Sequence, residues 1–341
     1  MVCWTSSQKA SVKQWSDMQD AGEFDLIARY FAPLASPGTP AFGLTDDAAI
    51  LTPPAGRDLV FSKDALVADI HFFADDPADN VARKALRVNL SDLAAMGAEP
   101  LGYLLALALP KKMKNIEEWV GKFCEGLRQD QDGFGWSLFG GDTVSTDGPL
   151  MISVTAIGTV EQGRALRRAG ARVGDDIYVS GCLGDAALGL NCLKGDIPEK
   201  NKFLEQRYYL PEPRLALGRK LVGIATAAMD ISDGLAGDIR HICALSGLGA
   251  EINPDLIPLS DAAGKILASF PAYKDLIWAG GDDYELLFTA DRQAREDIRK
   301  LAGELDLPLT GIGQMTAERQ IAIRNKDGNN LMEDIQGFRH F

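Results

Sequence analysis

The stretch ATAAMDISDGLAGDIRHICALSG (225–247) passes from a run of small apolar residues into two aspartates, then into a helical pattern. ATAAMDIS predicts a strand, DISDG a turn, and GLAGDIRHICALSG a helix that stops at Gly247. Aspartate favours neither helix nor strand. Asp230 and Asp233 at the mouth of a buried strand therefore need a reason beyond local structure. The same pattern, small residues and then Asp, recurs along the chain. LTDDAAIL carries Asp46 and Asp47, FSKDALV carries Ser62 and Asp64, and NLSDLAAMG carries Asp92 on a helix. FGGDTVS carries Asp142, and GGDDYEL carries Asp282 and Asp283.

One aspartate at a strand end is often only a helix cap or an Asx turn. Asp75, Asp76 and Asp79 are read that way, with Asp79 as the N-cap of a long helix. Asp283 and Glu285 have an equally plain reading as a solvated strand edge. The whole set is harder to explain so. Gathered together, these carboxylates would repel one another and raise each other's pKa. Divalent cations relieve that repulsion, and Mg²⁺ is commonly held by a few carboxylates together with substrate phosphates. Gly140, Gly141, Gly234, Gly280 and Gly281 beside the acids let backbone N–H groups approach phosphate oxygens. The pattern points to Mg²⁺-mediated binding of a polyphosphate.

Other chemistries find little support. There is no GxxxxGK[ST] loop, no GxGxxG fingerprint, no protein-kinase loop set and no GxSxG elbow. Three histidines (His71, His241, His340) are too scattered for a zinc cluster. His71 follows the Asp64 loop and reads as a site residue; His241 sits mid-helix and reads as structural. The 341 residues suit two domains, and the net charge of −13 with no basic stripe argues against nucleic acid. No apolar run reaches the roughly 18–20 residues that span a bilayer. Five cysteines without CxxC spacing suit reduced thiols in a cytoplasmic setting. Residues 1–21 lack periodicity and read as a loose extension, with Met18 an alternative start.

The remaining pattern mixes strands with helices in both halves, an α/β (α+β) chain. EFDLIARYF reads as a first helix, with Phe24, Ile27, Ala28 and Phe31 on one stripe. A strand over 58–67, a long helix stopping at Gly97, the strand LGYLLALALP and the helix KNIEEWVGKFCEGLRQDQ follow. WSLFGGDT reads as a strand ending in a glycine turn, and LMISVTAIGTV as another strand. A second unit begins near residue 165, giving domains 22–164 and 165–341. It closes with a hairpin on Asp327-Gly328.

Read in order, LTDDAAIL, FSKDALVADIHF, ALRVNLSDLAAMGAEP, FGGDTVS, GRALRRAGARVGDDIYVSG, MDISDGLAGDI and GGDDYELLF resemble the thiamine-monophosphate kinases. These belong to the aminoimidazole-ribonucleotide-synthetase-like (PurM-like) superfamily of ATP users. The resemblance runs from about residue 22 to the C-terminus. It implies a two-domain PurM-like fold, a homodimer pairing the N-terminal sheets, and a nucleotide cleft in the N-terminal domain. It implies transfer of the ATP γ-phosphoryl group to thiamine monophosphate, giving thiamine diphosphate and ADP.

By position, the resemblance assigns metal ions to Asp47, Ser62, Lys63, Asp64, Asp92, Asp142, Asp230 and Asp233. It assigns ATP to Gly141, Asp142, Arg168 and Ser232, and the thiamine side to His71, Asp282 and Phe338. Thr45 stands where the family has glycine, and Lys63 where it has threonine. An ammonium cannot ligate a metal, so Lys63 could serve only through its carbonyl. The acceptor phosphate, with a second pKa of about 6, is already ionised near neutrality. Direct in-line transfer then needs alignment and charge neutralisation, with no obvious catalytic histidine or lysine. Rival expectations are a sibling ATP-using enzyme and a non-catalytic nucleotide- or cation-binding module.

Overall fold

The structure is a computed structural model that describes residues 23–35, 40–324 and 330–331. Phe338, the extension and the Asp327-Gly328 turn lie outside these residues. The chain opens with helix α1 (Glu23–Leu26), which runs on helically through Ile27–Phe31 and Ala32–Leu34.

The first sheet follows. Strand β1 (Arg57–Val67) leads to helix α2 (Ala78–Ala95), β2 (Glu99–Pro110), α3 (Ile116–Phe134), β3 (Ser137–Thr146) and β4 (Met151–Glu161). The strand order is β1-β4-β2-β3. Only β2 and β3 run parallel, and α3 is the crossover that parallel neighbours require. Leu86, Leu90 and Leu93 of α2 are fully buried, so this helix is core on nearly every side.

Two details depart from expectation. The N-cap of α2 is Pro77, which has no side chain to cap with, and Asp79 lies inside the first turn. There it favours the positive end of the helix dipole instead of capping. Strand β3 does not stop at its glycines. It runs on through Asp142 to Thr146, with Gly140 and Gly141 opposite Leu104 and Leu105 just after a register shift. A Cβ on Gly141 would stand 1.9 Å from the Leu105 carbonyl oxygen. The glycine therefore serves a close approach of two strands, not a turn. Gly97 behaves as expected: it ends α2 with φ +70°, the left-handed stop that glycine adopts readily.

The second sheet begins with β5 (Asp176–Ser180), followed by helices α4 (Asp185–Lys194), α5 (Lys202–Tyr209) and α6 (Leu215–Leu221). Strand β6 (Ala225–Asp230), α7 (Leu235–Ser246) and β7 (Gly249–Ile252) come next. Then follow α8 (Asp261–Ser269), α9 (Leu276–Ala279), β8 (Leu286–Ala290), α10 (Arg295–Leu305), β9 (Leu309–Thr316) and β10 (Ile321–Ile323). The order is β10-β7-β9-β5-β8-β6.

Helix α2 joins the two halves. One side packs on β1, β2 and β4, the other on α6 and β6. Leu86 and Leu90 share a core with Leu215, Leu217, Leu221 and Phe288 of the second half. The end of β6 therefore meets the side of α2, which is where the acidic motifs converge.

Candidate active site

Side chains alternate along β1, so Ser62 and Asp64 face α2 while Phe61 and Lys63 face the other side of the sheet. Ser62 donates its hydroxyl to Asp92 on α2. One residue earlier on the helix, Ser91 donates to Asp230 at 2.7 Å and ties α2 to the end of β6. The turn that follows is held from below. Asp238, in the first turn of α7, accepts from the backbone N–H of both Ser232 and Asp233 at 3.1 Å. The 280–285 loop is bonded to the same turn: Asp282 N–H donates to the Ser232 carbonyl at 2.9 Å, and Tyr284 N–H to Ile231 at 2.8 Å. DISDG and GGDDYEL, separate in sequence, are thus hydrogen-bonded neighbours.

A cleft of about 480 Å³ opens over this seam. Asp64, His71, Ser232, Asp233 and Asp282 line it, together with Lys84, Tyr208 and Tyr284. The Nδ1 atom of His71 accepts from Val67 N–H at 3.0 Å, which places the ring proton of a neutral imidazole on Nε2.

Burial and mutual repulsion govern the charges. Burial, and then the nearby Asp92, push Asp64 up to about 6. Burial raises Asp92, against the Ser62 hydroxyl and the positive charge of Arg168. Burial, and then Asp92, raise Asp230, with Asp64 adding to the effect. Asp238 is pushed up to about 8 by burial and by the charges of Asp230 and Asp233. Among the described residues, no three His, Cys, Asp or Glu side chains already form a closed metal cage. Mg²⁺ seldom needs one, since substrate phosphates complete its shell. Asp92 raises both Asp64 and Asp230, and the three carboxylates fit a divalent cation on the chemistry of their donors.

This electrostatics predicts a pH dependence. The folded-state pKa values of Asp64, Asp230, Asp238 and Asp283 lie above the roughly 3.9 of an unfolded aspartate. The folded chain therefore binds more protons than the unfolded one from about pH 4 up to about 8, and stability falls as pH rises through that window. Thermal melts without divalent cations should show a midpoint that drops from pH 5 to pH 8. Added Mg²⁺ should recover the part of the loss at pH 8 that comes from Asp64 and Asp230, and a midpoint rising across the window would contradict this assignment.

The other expected residues lie elsewhere. Lys63 Nζ donates to Ser153 at 2.9 Å on the opposite face, so its side chain does not belong with the acids. Asp47, Gly141 and Asp142 line a separate cavity of about 620 Å³ on that outer face, beneath the 41–51 loop and beside Phe61 and Leu104. A single chain does not bring them to Asp64, Asp92 and Asp230. Arg168 is exposed but acts on Asp92 through its charge.

Some functional groups escaped the sequence reading. Asp283 and Glu285 are not a solvated edge, for both are buried. Asp283 accepts from Gly184 N–H at 2.7 Å and Ala186 N–H at 3.3 Å, at the start of α4. Glu285 accepts from Ser180, Arg207 and Arg214. His241, read as structural, is exposed on α7. Lys84 is buried on α2 yet lines the cleft, a placement the sequence reading did not single out. A lysine among apolar helix positions was the available signal, since lysine is rarely buried unless paired.

Two mixed sheets joined along an acidic seam define an AIR-synthase-related protein. The N-terminal domain of AIR synthase related protein matches residues 45–160, and its C-terminal domain matches residues 172–326. Thiamine-monophosphate kinase of Salmonella typhimurium is 42% identical over 328 residues, covering 94% of this chain and 98% of that one. The crystal structure of thiamine-monophosphate kinase from Stenotrophomonas maltophilia is 41% identical with a TM-score of 0.80, covering 91% of this chain and 98% of that one. A structure of AaThiL complexed with AMPPCP and TMP is 30% identical with a TM-score of 0.75, covering 95% of this chain and 98% of that one. The chain belongs to the thiamine-monophosphate kinase family.

Proposed function

We propose that the seam cleft is where this chain phosphorylates thiamine monophosphate with ATP, giving thiamine diphosphate and ADP. The observation that carries the reading is the convergence of Asp64, Asp92 and Asp230 beside a cleft holding His71 and Asp282. The acceptor phosphate is already ionised near neutrality and needs no strong base. Its oxygen attacks the γ-phosphorus in line as ADP departs, and no phosphoenzyme forms. The obstacle is the meeting of two anions, which alignment and charge neutralisation overcome.

Asp64, Asp92, Asp230 and Asp233, with the Ser62 hydroxyl, are the residues that would hold Mg²⁺. When bound, Mg²⁺ neutralises phosphate charge and orients the reacting oxygens. The chain's own part is to fix those carboxylates: Ser62 and Ser91 orient Asp92 and Asp230, and Asp238 holds the backbone of Ser232 and Asp233. Ser232 and Arg168 are assigned to the nucleotide, and His71 and Asp282 to the acceptor.

Asp47, Gly141 and Asp142 are assigned to the nucleotide and metal from the outer-face cavity. Phe61, Leu104, Val144 and Met151 are exposed on the first sheet, an apolar face that suits pairing with a second copy. A homodimer through these faces, a domain boundary near residue 165 and a cytoplasmic location complete the proposal. No helix among the described residues is long and apolar enough to cross a membrane. The test supplies ATP, Mg²⁺ and thiamine monophosphate to the purified chain. Thiamine diphosphate and ADP should form in equal amounts; hydrolysis of ATP alone, or no turnover, would refute the reading.

A further inference from the structure

Lys84 lines the cleft, and the acidic chemistry gives it no task. It is 3% exposed, and its ammonium meets three segments far apart in sequence. It donates to Asp282 Oδ2 at 2.8 Å and to the His71 carbonyl at 3.2 Å, and lies 3.8 Å from the centroid of the Tyr208 ring. The Tyr208 hydroxyl donates to the same His71 carbonyl at 3.4 Å. Asp282 itself sits in the left-handed region, φ 70°, which a residue with a Cβ keeps only where its surroundings hold it. All four residues line the cleft.

We propose that Lys84 is a positioning residue for the phosphate acceptor: it clamps Asp282, the His71 loop and Tyr208 into one arrangement, so that the acceptor end of the cleft is formed before substrate arrives. The proposal rests on the kinase reading above. Lys84 acts through Asp282 and the His71 backbone, and the nucleotide end does not depend on it. The dependence is one-sided: losing Asp282 leaves the buried Lys84 ammonium without its counter-charge, whereas Asp282 is a third exposed and keeps access to water.

Steady-state kinetics with each substrate varied provides the test. Lys84→Met should raise KM for thiamine monophosphate at least tenfold and leave KM for ATP within twofold. Lys84→Arg keeps the charge, and so the fold, but loses the compact ammonium that fits over Tyr208. It should raise the acceptor KM at least threefold, again with KM for ATP unchanged. The Lys84→Met/Asp282→Asn pair should raise the acceptor KM by clearly less than the product of the two single increases, because the two residues share one interaction. An unchanged acceptor KM in Lys84→Arg, equal rises in both KM values, or a double variant whose increase equals the product of the single ones would each overturn the proposal. Failure of the wild-type chain to make thiamine diphosphate would instead overturn the kinase reading.

Discussion

Asp92→Asn lowers the rate of thiamine diphosphate formation by about 10²–10³-fold, the range seen when one preorganised charge-stabilising group is lost. Asp92 is central because two other carboxylates feel its charge: it raises both Asp64 and Asp230. The same observation separates this variant from a folding defect. An amide at position 92 removes repulsion from Asp64 and Asp230, and the Ser62 hydroxyl can still donate to its carbonyl oxygen. The metal-free variant should therefore melt at or above the wild-type temperature at pH 8. Kinetics and a melting curve on the same preparation check both halves. Activity within tenfold of wild type would remove Asp92 from the machinery, and a lowered melting temperature would show that its carboxylate stabilises the fold.

Arg214→Met is expected to cost about 3–5 kcal/mol, the usual penalty for breaking a buried pair on one side. Its partner Glu285 is 0% exposed. Arg214 donates from Nε at 2.6 Å and from Nη2 at 2.5 Å, with Arg207 at 3.0 Å and Ser180 at 2.6 Å completing the set. Without Arg214 the carboxylate keeps Arg207, which places the loss toward the lower end of the range. The damage should reach the site, because Glu285 anchors the loop that presents Asp282 and Tyr284, both at positive φ. Replacing Glu285 with Gln in the same chain should recover little, because it leaves the half-buried Arg207 without the carboxylate it pairs with. Denaturant unfolding measures both effects; a loss below about 1 kcal/mol would mean that the pair behaves like a surface ion pair.

Much of this arrangement was legible in the chain itself. Periodicity placed α2 and α3, and the apolar runs placed β2 and β4, because these elements carry their burial pattern locally. Alternation along β1 separates Asp64 from Lys63 by one residue, enough to put them on opposite faces. What could not be read locally depends on contacts between distant segments. The glycines of β3 look like a turn until Leu105 is seen against Gly141. Asp283 and Glu285 look like a solvated edge until the start of α4 and the arginines at 207 and 214 are folded onto them. Lys84 reads as an ordinary helix lysine until Asp282, His71 and Tyr208 close around it. The motif order pointed to the family, whereas the separation of Asp47 and Asp142 from the seam acids follows from sheet geometry, which no motif encodes.

A crystal structure of the chain with Mg²⁺, a non-hydrolysable ATP analogue and thiamine monophosphate tests the central claim most directly. Cations should stand about 2.0–2.1 Å from carboxylate oxygens of Asp64, Asp92 and Asp230, bridging them to nucleotide phosphates. Phosphates and cations bound elsewhere, with those three carboxylates bare, would contradict it.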